Sequence, residues 1–131
     1  MSAGSNQVYV RKGQFFRVLG HPVRVRILEL LRDGERTVGD LQVALDLDSG
    51  GTSQHLGALR KLGLLKSRKE GTSVYYRVHD PRTFQLLEIA RQIITSHLTE
   101  TQTLLHDLGA LEPLAPAHTP SERTPRSRVE P

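Results

Sequence analysis

One short polar run contains most of the side chains that could bind a ligand, Asp48-Ser49-Gly50-Gly51-Thr52-Ser53-Gln54-His55. Ser and Thr hydroxyl groups bond to phosphates or to base edges, and a Gln amide pairs bidentately with adenine. If the run opens a helix, the free backbone N–H groups and the positive end of the helix dipole attract phosphate. The run therefore predicts contacts to a nucleic acid, although an ordinary polar helix cap explains the same composition. The predicted contacts are Ser49, Gly51, Thr52, Ser53, Gln54 and His55.

Basic residues follow this run closely. From Arg60 to Arg77 the chain has six Lys or Arg residues and one acid, Glu70. Lys and Arg neutralise phosphates, and their contacts fix the register of a protein on a duplex. A solvated basic face is the alternative interpretation. The predicted contacts in this segment are Arg60, Lys61, Arg68, Lys69, Thr72 and Tyr75, with one of the neighbours Tyr75 and Tyr76 facing the core because strand side chains alternate.

The spacing of the same residues does not favour catalysis. Ser53 and His55 are two positions apart, and such residues on a helix face different directions, so they cannot pair as nucleophile and base. The sequence contains no GxSxG, phosphate-loop, HExxH or dinucleotide-binding motif. It contains no cysteine, which excludes disulfides, thiolate metal sites and cysteine nucleophiles. We therefore predict that the protein is not an enzyme.

The totals fit one basic domain with tails. The formal net charge is +4 over 131 residues, and a basic balance is common among nucleic-acid-binding proteins. No apolar run approaches the roughly 20 residues of a membrane span. The first residues, MSAGSNQVYV, lack the layout of a secretory signal. We expect a cytoplasmic protein with no membrane partner.

Apolar spacing and turn residues predict five helices and one hairpin. Gly20-His21-Pro22 separates the first two helices, and Pro22 suits the first position of a helix. Thr37 and Asp40 form a capping-box pattern at the start of the third helix. Glu70-Gly71-Thr72-Ser73 is the turn of the hairpin. The predicted helices are 8–19, about 22–32, 38–45, about 50–62 and about 81–108, and the predicted strands are 64–68 and 74–78.

This order of elements predicts a mainly α fold with a small β-hairpin. A short helix, a turn and a second helix, followed by a basic hairpin, are the parts of a winged helix-turn-helix, whose second helix enters the major groove. We assign residues 8–109 to this DNA-binding and dimerisation domain. Residues 1–7 are predicted to be disordered. So are residues 110–131, which contain five of the seven prolines.

Three segments of the chain resemble the ArsR family of bacterial winged helix-turn-helix regulators. They are LGHPVRVRILELL at 19–31, SQHLGALRKLGLL at 53–65 and RKEGTSVYYRV at 68–78. The resemblance extends over about residues 15–108. The sequence departs from the family at Thr52, where Val is usual, and at Gly50-Gly51, where the family has residues with a higher helix propensity.

The resemblance implies a regulator that binds double-stranded DNA, usually a repressor that an effector releases, and the sequence does not identify that effector. It implies that Ser53, Gln54 and His55 face DNA and that Lys69 and Thr72 belong to the wing. It also implies a homodimer through the first and last helices, which sets two recognition helices on a pseudo-palindromic operator. The predicted dimer residues are Phe15, Phe16, Leu19, Leu87, Ile94, Leu98 and Leu105.

Many members of this family sense metals, and the last helix of this sequence contains residues of the types that bind them. His97 and Glu100 share a helix face and resemble half of the family's interhelical zinc-type site, while the other half falls on Phe84-Gln85-Leu86, which does not bind divalent metals. His106 is a further weak candidate. We predict no cofactor and no metal site, and keep a metal-responsive repressor as one alternative. A winged helix that binds RNA or another protein is the second alternative.

Overall fold

The computed structural model describes residues 3–111, with side chains for 4–109. The described residues are mainly helical and contain a small antiparallel sheet, which confirms the predicted fold class. The elements in chain order are α1 (Ala3–Leu19), α2 (Pro22–Leu30), β1 (Arg36–Thr37), α3 (Val38–Leu45), α4 (Ser49–Lys61), β2 (Leu65–Glu70), β3 (Ser73–Val78) and α5 (Arg82–Leu111).

The core lies where α2, α3 and α4 pack together. Its most buried apolar side chains are Ile27 and Leu28 of α2, Leu41 of α3, Leu56 and Leu59 of α4, and Leu65 of β2, none more than 1% exposed. Burial of one such side chain contributes about 1.5–3 kcal/mol relative to leaving it in water. Because the apolar residues recur every three or four positions, each helix buries one side and leaves the other to polar residues.

Polar caps determine where α3 and α4 begin. The Thr37 hydroxyl accepts from the Asp40 backbone N–H at 3.0 Å, and the Asp40 carboxylate accepts from the Thr37 N–H at 3.5 Å. The predicted capping box is therefore present. At the start of α4, the Asp48 carboxylate accepts from the Gly51 N–H at 2.7 Å. Between these caps Asp46 turns the chain with a left-handed φ of 56°.

The sheet contains one strand that the sequence analysis did not predict. Strands β2 and β3 form the predicted hairpin, and β1 pairs with the other edge of β3 in the order β1-β3-β2. Arg36 lies opposite Tyr76 and Thr37 opposite Tyr75. A strand of two residues is too short to show an alternating pattern. The wing is therefore a three-stranded sheet joined to the start of α3.

Helix α1 begins earlier than the sequence indicated. It starts at Ala3 instead of Val8, so residues 3–7 are helical and the prediction of disorder across 1–7 is wrong for them. These residues are exposed from Gly4 onward. These residues show no apolar period that would predict a helix, but they also include no proline, which would prevent one.

Helix α5 is anchored to the domain at its first turns. The Asp80 carboxylate accepts from the Arg82 backbone N–H at 2.9 Å, and its contacts with the Arg82 guanidinium lower the pKa of Asp80 to about 2. The Arg32 guanidinium lies 5.2 Å from the centre of the Phe84 ring. Leu87 is buried in the core. These contacts hold the first turns of α5 against the rest of the domain.

The fold divides into two compact units after Glu88. The second unit begins at Ile89 and contains the rest of α5. This helix continues through Gly109, which was predicted to end it, as far as Leu111. An interior glycine costs a helix only about 1 kcal/mol. The predicted disordered tail, 110–131, thus begins with two helical residues, and 112–131 lie outside the described residues.

Two glycines of the α4 region should respond to alanine in opposite directions. Gly63 ends α4 with φ +91°, and its N–H and that of Leu64 bond back to Arg60 and Leu59. Gly63→Ala should lower the free energy of unfolding by about 1–2 kcal/mol, because a Cβ is strained in that conformation. Gly57 is helical with open space at its Cβ, so Gly57→Ala should raise it by up to about 1 kcal/mol.

Urea unfolding followed by circular dichroism measures both variants. Equal effects of the two substitutions would contradict the placement of Gly63 at the helix end.

Candidate nucleic-acid interface

Helix α4 presents a continuous outward face. Thr52, Leu56 and Leu59 are buried on its inner side. The outer side is exposed and holds Ser53, Gln54, Gly57, Arg60 and Lys61. Small residues at 50, 51, 53 and 57 let a ligand approach the helix backbone closely. Five predicted contact residues, Ser49, Ser53, Gln54, Arg60 and Lys61, are therefore brought together on one accessible surface.

Thr52 is a correction to the predicted set of contacts. Its side chain is fully buried, and its hydroxyl donates to the Asp48 carbonyl oxygen at 2.9 Å. A hydroxyl that bonds to its own helix turn needs no other partner, so the side chain fits where an apolar residue would pack. Thr52 therefore supports the start of α4 from inside and is not available to a ligand. Gly51 is half-buried, and its N–H is occupied by Asp48.

His55 is also held by the protein. Its Nδ1 accepts from the Arg24 Nε–H at 3.2 Å, and its ring centre lies 4.3 Å from that of His21. His21 in turn caps α2, because its Nδ1 accepts from the Val23 N–H at 3.2 Å. Burial lowers the pKa of His55, and the nearby His21 and Arg24 lower it further. His55 is therefore a half-buried link between α2 and α4.

The wing hairpin holds its arginine between two carboxylates. The Arg68 guanidinium donates to Glu35 at 2.9–3.0 Å and to Glu70 at 2.6 Å. It also lies 4.5 Å from the centre of the Tyr75 ring. These bonds raise the pKa of Arg68 and lower that of Glu35. Arg68 stays a predicted phosphate contact because its side chain is 46% exposed, but a phosphate would compete with two carboxylates for its guanidinium.

Other wing residues remain accessible. Lys69 and Thr72 are exposed, and Gly71 makes the turn between them with φ 63°. Tyr76 packs on the core while Tyr75 supports Arg68, which confirms that one of the two tyrosines faces inward. Glu35 could not be identified from the sequence as a partner of the wing, because it is 33 positions from Arg68. Only the pairing of β1 with β3 brings the two together.

The arrangement is a polar helix face beside a hairpin with exposed lysine. The sequence model described as "Bacterial regulatory protein, arsR family" matches residues 21–67, which include α2, α3 and α4. The HTH-type transcriptional regulator Rv0081 of Mycobacterium tuberculosis is 38% identical over 107 residues, which are 81% of this chain and 94% of that protein. The chain belongs to the ArsR family.

Solved structures agree with this assignment to the ArsR family. The crystal structure of Rv0081 aligns with a TM-score of 0.68 over 72% of this chain and 95% of that chain. A homodimeric winged helix-turn-helix DNA-binding domain from Mycobacterium bovis, Mb0332, aligns with a TM-score of 0.69 at 28% identity, over 76% of this chain and 93% of that chain. A biofilm growth-associated repressor of Agrobacterium fabrum is 35% identical over 72 residues, which are 55% of this chain and 62% of that protein.

The dimer residues predicted for an ArsR-family chain fall into two groups. Phe16, Ile94, Leu98 and Leu105 are each 55–58% exposed, as an uncovered contact surface requires. Leu19 and Leu87 are instead buried in the core of the domain, and Phe15 packs against it half-buried. The prediction is corrected for Leu19 and Leu87 and stays a prediction for Phe15, because helical spacing alone does not tell a face that meets the core from one that meets a partner.

The metal candidates on α5 do not form a cluster within the described chain. His97, Glu100 and His106 are all exposed. Among residues 4–109, no group of three or more His, Asp or Glu side chains is arranged to hold a metal ion.

None of the helices in the described part of the chain is long and apolar enough to cross a membrane.

His55 should make the stability of the domain depend on pH. Its folded-state pKa lies below its ordinary value of 6.5, so the unfolded chain binds the proton more readily. The contribution of the neutral ring is present above pH 6.5 and is lost as the pH falls through the folded pKa. In urea unfolding between about pH 7.5 and pH 5, His55→Gln should lose less stability than the parent. A steeper loss in the variant would contradict this assignment.

Proposed function

We propose that this protein is a transcriptional repressor that binds a pseudo-palindromic operator in double-stranded DNA as a homodimer. The observation that supports this proposal most is the exposed face of α4. Ser53 and Gln54 are accessible there, and the first three residues of the helix, 49–51, are small. In this proposal α4 enters the major groove and its Gln54 amide reads a base edge. Lys69 and Thr72 of the wing bind the flanking backbone and fix the register.

The names of relatives support repression. The Agrobacterium fabrum relative is named a biofilm growth-associated repressor. A Streptomyces lividans relative, 33% identical over 78 residues, is named a probable mercury resistance operon repressor. Activation is the second candidate, because a Vibrio cholerae relative, 32% identical over 77 residues, is named the transcriptional activator HlyU. In this proposal the protein binds DNA in the cytoplasm and catalyses no reaction.

The proposed dimer is supported by apolar side chains that the single chain leaves exposed to water. On α1 they are Val8, Tyr9, Val10 and Phe16, and on the distal part of α5 they include Ile89, Ile93, Ile94, Leu98, Leu104, Leu105 and Leu108. Long exposed apolar faces of this kind mark interaction sites. The homodimeric state of Mb0332 supports a second copy of this chain as the partner. Two-fold symmetry then predicts a symmetric operator.

The effector is not identified by these residues. A repressor that responds to a divalent metal through His97, Glu100 or His106 stays an alternative. So does a winged helix that binds RNA, which mobility shifts with duplex DNA and structured RNA would reveal.

Base reading and backbone binding should separate in two variants. Gln54→Ala should reduce the preference for the operator over random duplex and leave the salt dependence unchanged. Lys69→Ala should weaken binding to both duplexes alike and lower the slope of log K against log salt by about 0.9 per lost phosphate contact. Fluorescence anisotropy at several salt concentrations measures both quantities, with an operator found by genome-wide footprinting. Identical effects from the two variants would mean that α4 does not read bases.

Removing a carboxylate that pairs with Arg68 should strengthen DNA binding by the wing. Glu35→Gln removes the carboxylate that engages this guanidinium through several bonds. Affinity for all duplexes should rise, and the salt slope should increase by up to about 0.9 because one more cation reaches a phosphate. Glu29→Gln is the matched control, because it removes an acid paired with Arg32 on α2. An equal gain in both variants would show an effect of net charge only.

A charge on the exposed face of α5 should prevent dimerisation. Ile94→Glu places a carboxylate among side chains that the dimer would bury, and an unpaired buried charge is costly. The variant should sediment as a monomer and lose cooperative binding to the symmetric operator. Thr99→Glu adds the same charge on the side of the helix away from these apolar residues and should stay dimeric. A dimeric Ile94→Glu variant would place the interface elsewhere.

A further inference from the structure

A groove within the domain lies between α1, α2 and α4, at the edge of the face of α4 assigned to base reading. Its volume is about 650 Å³, within the range of small-molecule sites. Arg17 and Val18 of α1 form one wall, and Ala58, Lys61 and Leu62 form the other. Arg24 of α2 closes it. A shallower depression of about 450 Å³ shares four of these residues and extends to Gln54 and Gly57.

The lining of this groove is positively charged and apolar. Three of its side chains are cationic, Arg17, Arg24 and Lys61, and no acidic residue lines the groove within the described chain. The surface between the cations is apolar and is formed by Val18, Ala58 and Leu62. Pockets that combine an apolar surface with a few convergent polar groups are typical of small-ligand sites. This combination selects against cations and against purely polar solutes.

Arg24 is positioned before any ligand arrives. Its Nε–H donates to His55 at 3.2 Å, and its Nη1 donates to the Val18 carbonyl oxygen at 3.4 Å. A guanidinium carries five N–H donors, so most of them stay available to an anion. The side chain is half-buried, which strengthens its attraction for a negative charge relative to a fully solvated cation. Holding the cation in place also lowers the entropy lost on binding.

We propose that this groove binds a small organic anion, a carboxylate carried on a flat apolar body. The carboxylate lies between Arg24, Lys61 and Arg17, and the apolar body covers Val18, Ala58 and Leu62. The groove borders Gln54 and shares Lys61 with the DNA-facing surface. A bound anion therefore competes with operator DNA, and this second step rests on the proposed function.

Amide NMR of the full-length chain, without DNA, tests the site itself. The probes are naphthalene-2-carboxylate, its uncharged isostere naphthalene-2-carboxamide, and inorganic phosphate. The carboxylate should shift the amides of residues 14–18, 24 and 58–62, and bind at least about tenfold more tightly than the carboxamide or phosphate. A tenfold difference corresponds to about 1.4 kcal/mol, a plausible size for charge-assisted hydrogen bonds.

Substitutions distinguish binding in the groove from a general attraction between the anion and a basic protein. Arg17→Gln and Lys61→Gln should each weaken naphthalene-2-carboxylate severalfold, and Ala58→Leu should weaken it by filling the groove without changing charge. Lys12→Gln, which removes an exposed cation of α1 outside the groove, should leave the affinity unchanged. Equal weakening by Lys12→Gln overturns the proposal. Shifts confined to the exposed apolar residues of α1 and α5 overturn it as well.

Two further outcomes also decide against the proposal. Equal affinities for the carboxylate and the carboxamide show that the cations take no part. Tight binding of inorganic phosphate at the same residues assigns the groove to a DNA phosphate instead. Competition is measured separately, by anisotropy of labelled operator with rising naphthalene-2-carboxylate. A protein that binds no DNA overturns the proposed function and leaves the NMR result intact, so the two failures are distinguishable.

Discussion

The burial of one side of α4 is the constraint on which the rest of the structure depends. Leu56 and Leu59 are almost completely removed from water among the side chains of α2 and α3. Thr52 continues this inner side because its hydroxyl bonds to Asp48. With one side committed to the core, the rotation of α4 about its axis is fixed. Ser53 and Gln54 are then exposed because a helix turns 100° per residue, and they need no interaction of their own to stay outward.

The contacts around this helix also decide how its charges act. Arg24 is bonded to His55, so a cation is fixed on one flank of α4. In the wing, Arg68 is bonded to Glu35 and Glu70 and covers Tyr75. The net positive charge of the chain therefore does not show which of its basic side chains are available to bind an anion. A fixed but uncompensated arginine can attract an anion, whereas a compensated one stiffens the wing and contributes less to binding.

The two compact units have different physical requirements. Residues up to Glu88 have a core of their own, whereas the part of α5 from Ile89 leaves most of its large apolar side chains exposed. A helix in this condition gains little from its own chain, and covering it with a second copy removes that apolar area from water. In the proposed dimer, folding of the distal helix and assembly of the two copies are driven by the same burial.

The sequence by itself determined the helices, the hairpin and the position of the polar helix start. These depend on local signals: apolar residues every three or four positions, the capping pair Thr37 and Asp40, and the turn at Gly71. It also placed Ser53, Gln54 and Lys69 correctly on the exposed surface. Only the tertiary structure decided that Thr52 and Leu87 face inward, that β1 completes the sheet, and that Glu35 neutralises Arg68. Each of these depends on residues far apart in the chain, and the local pattern that predicts an element carries no information about which of its sides another element will cover.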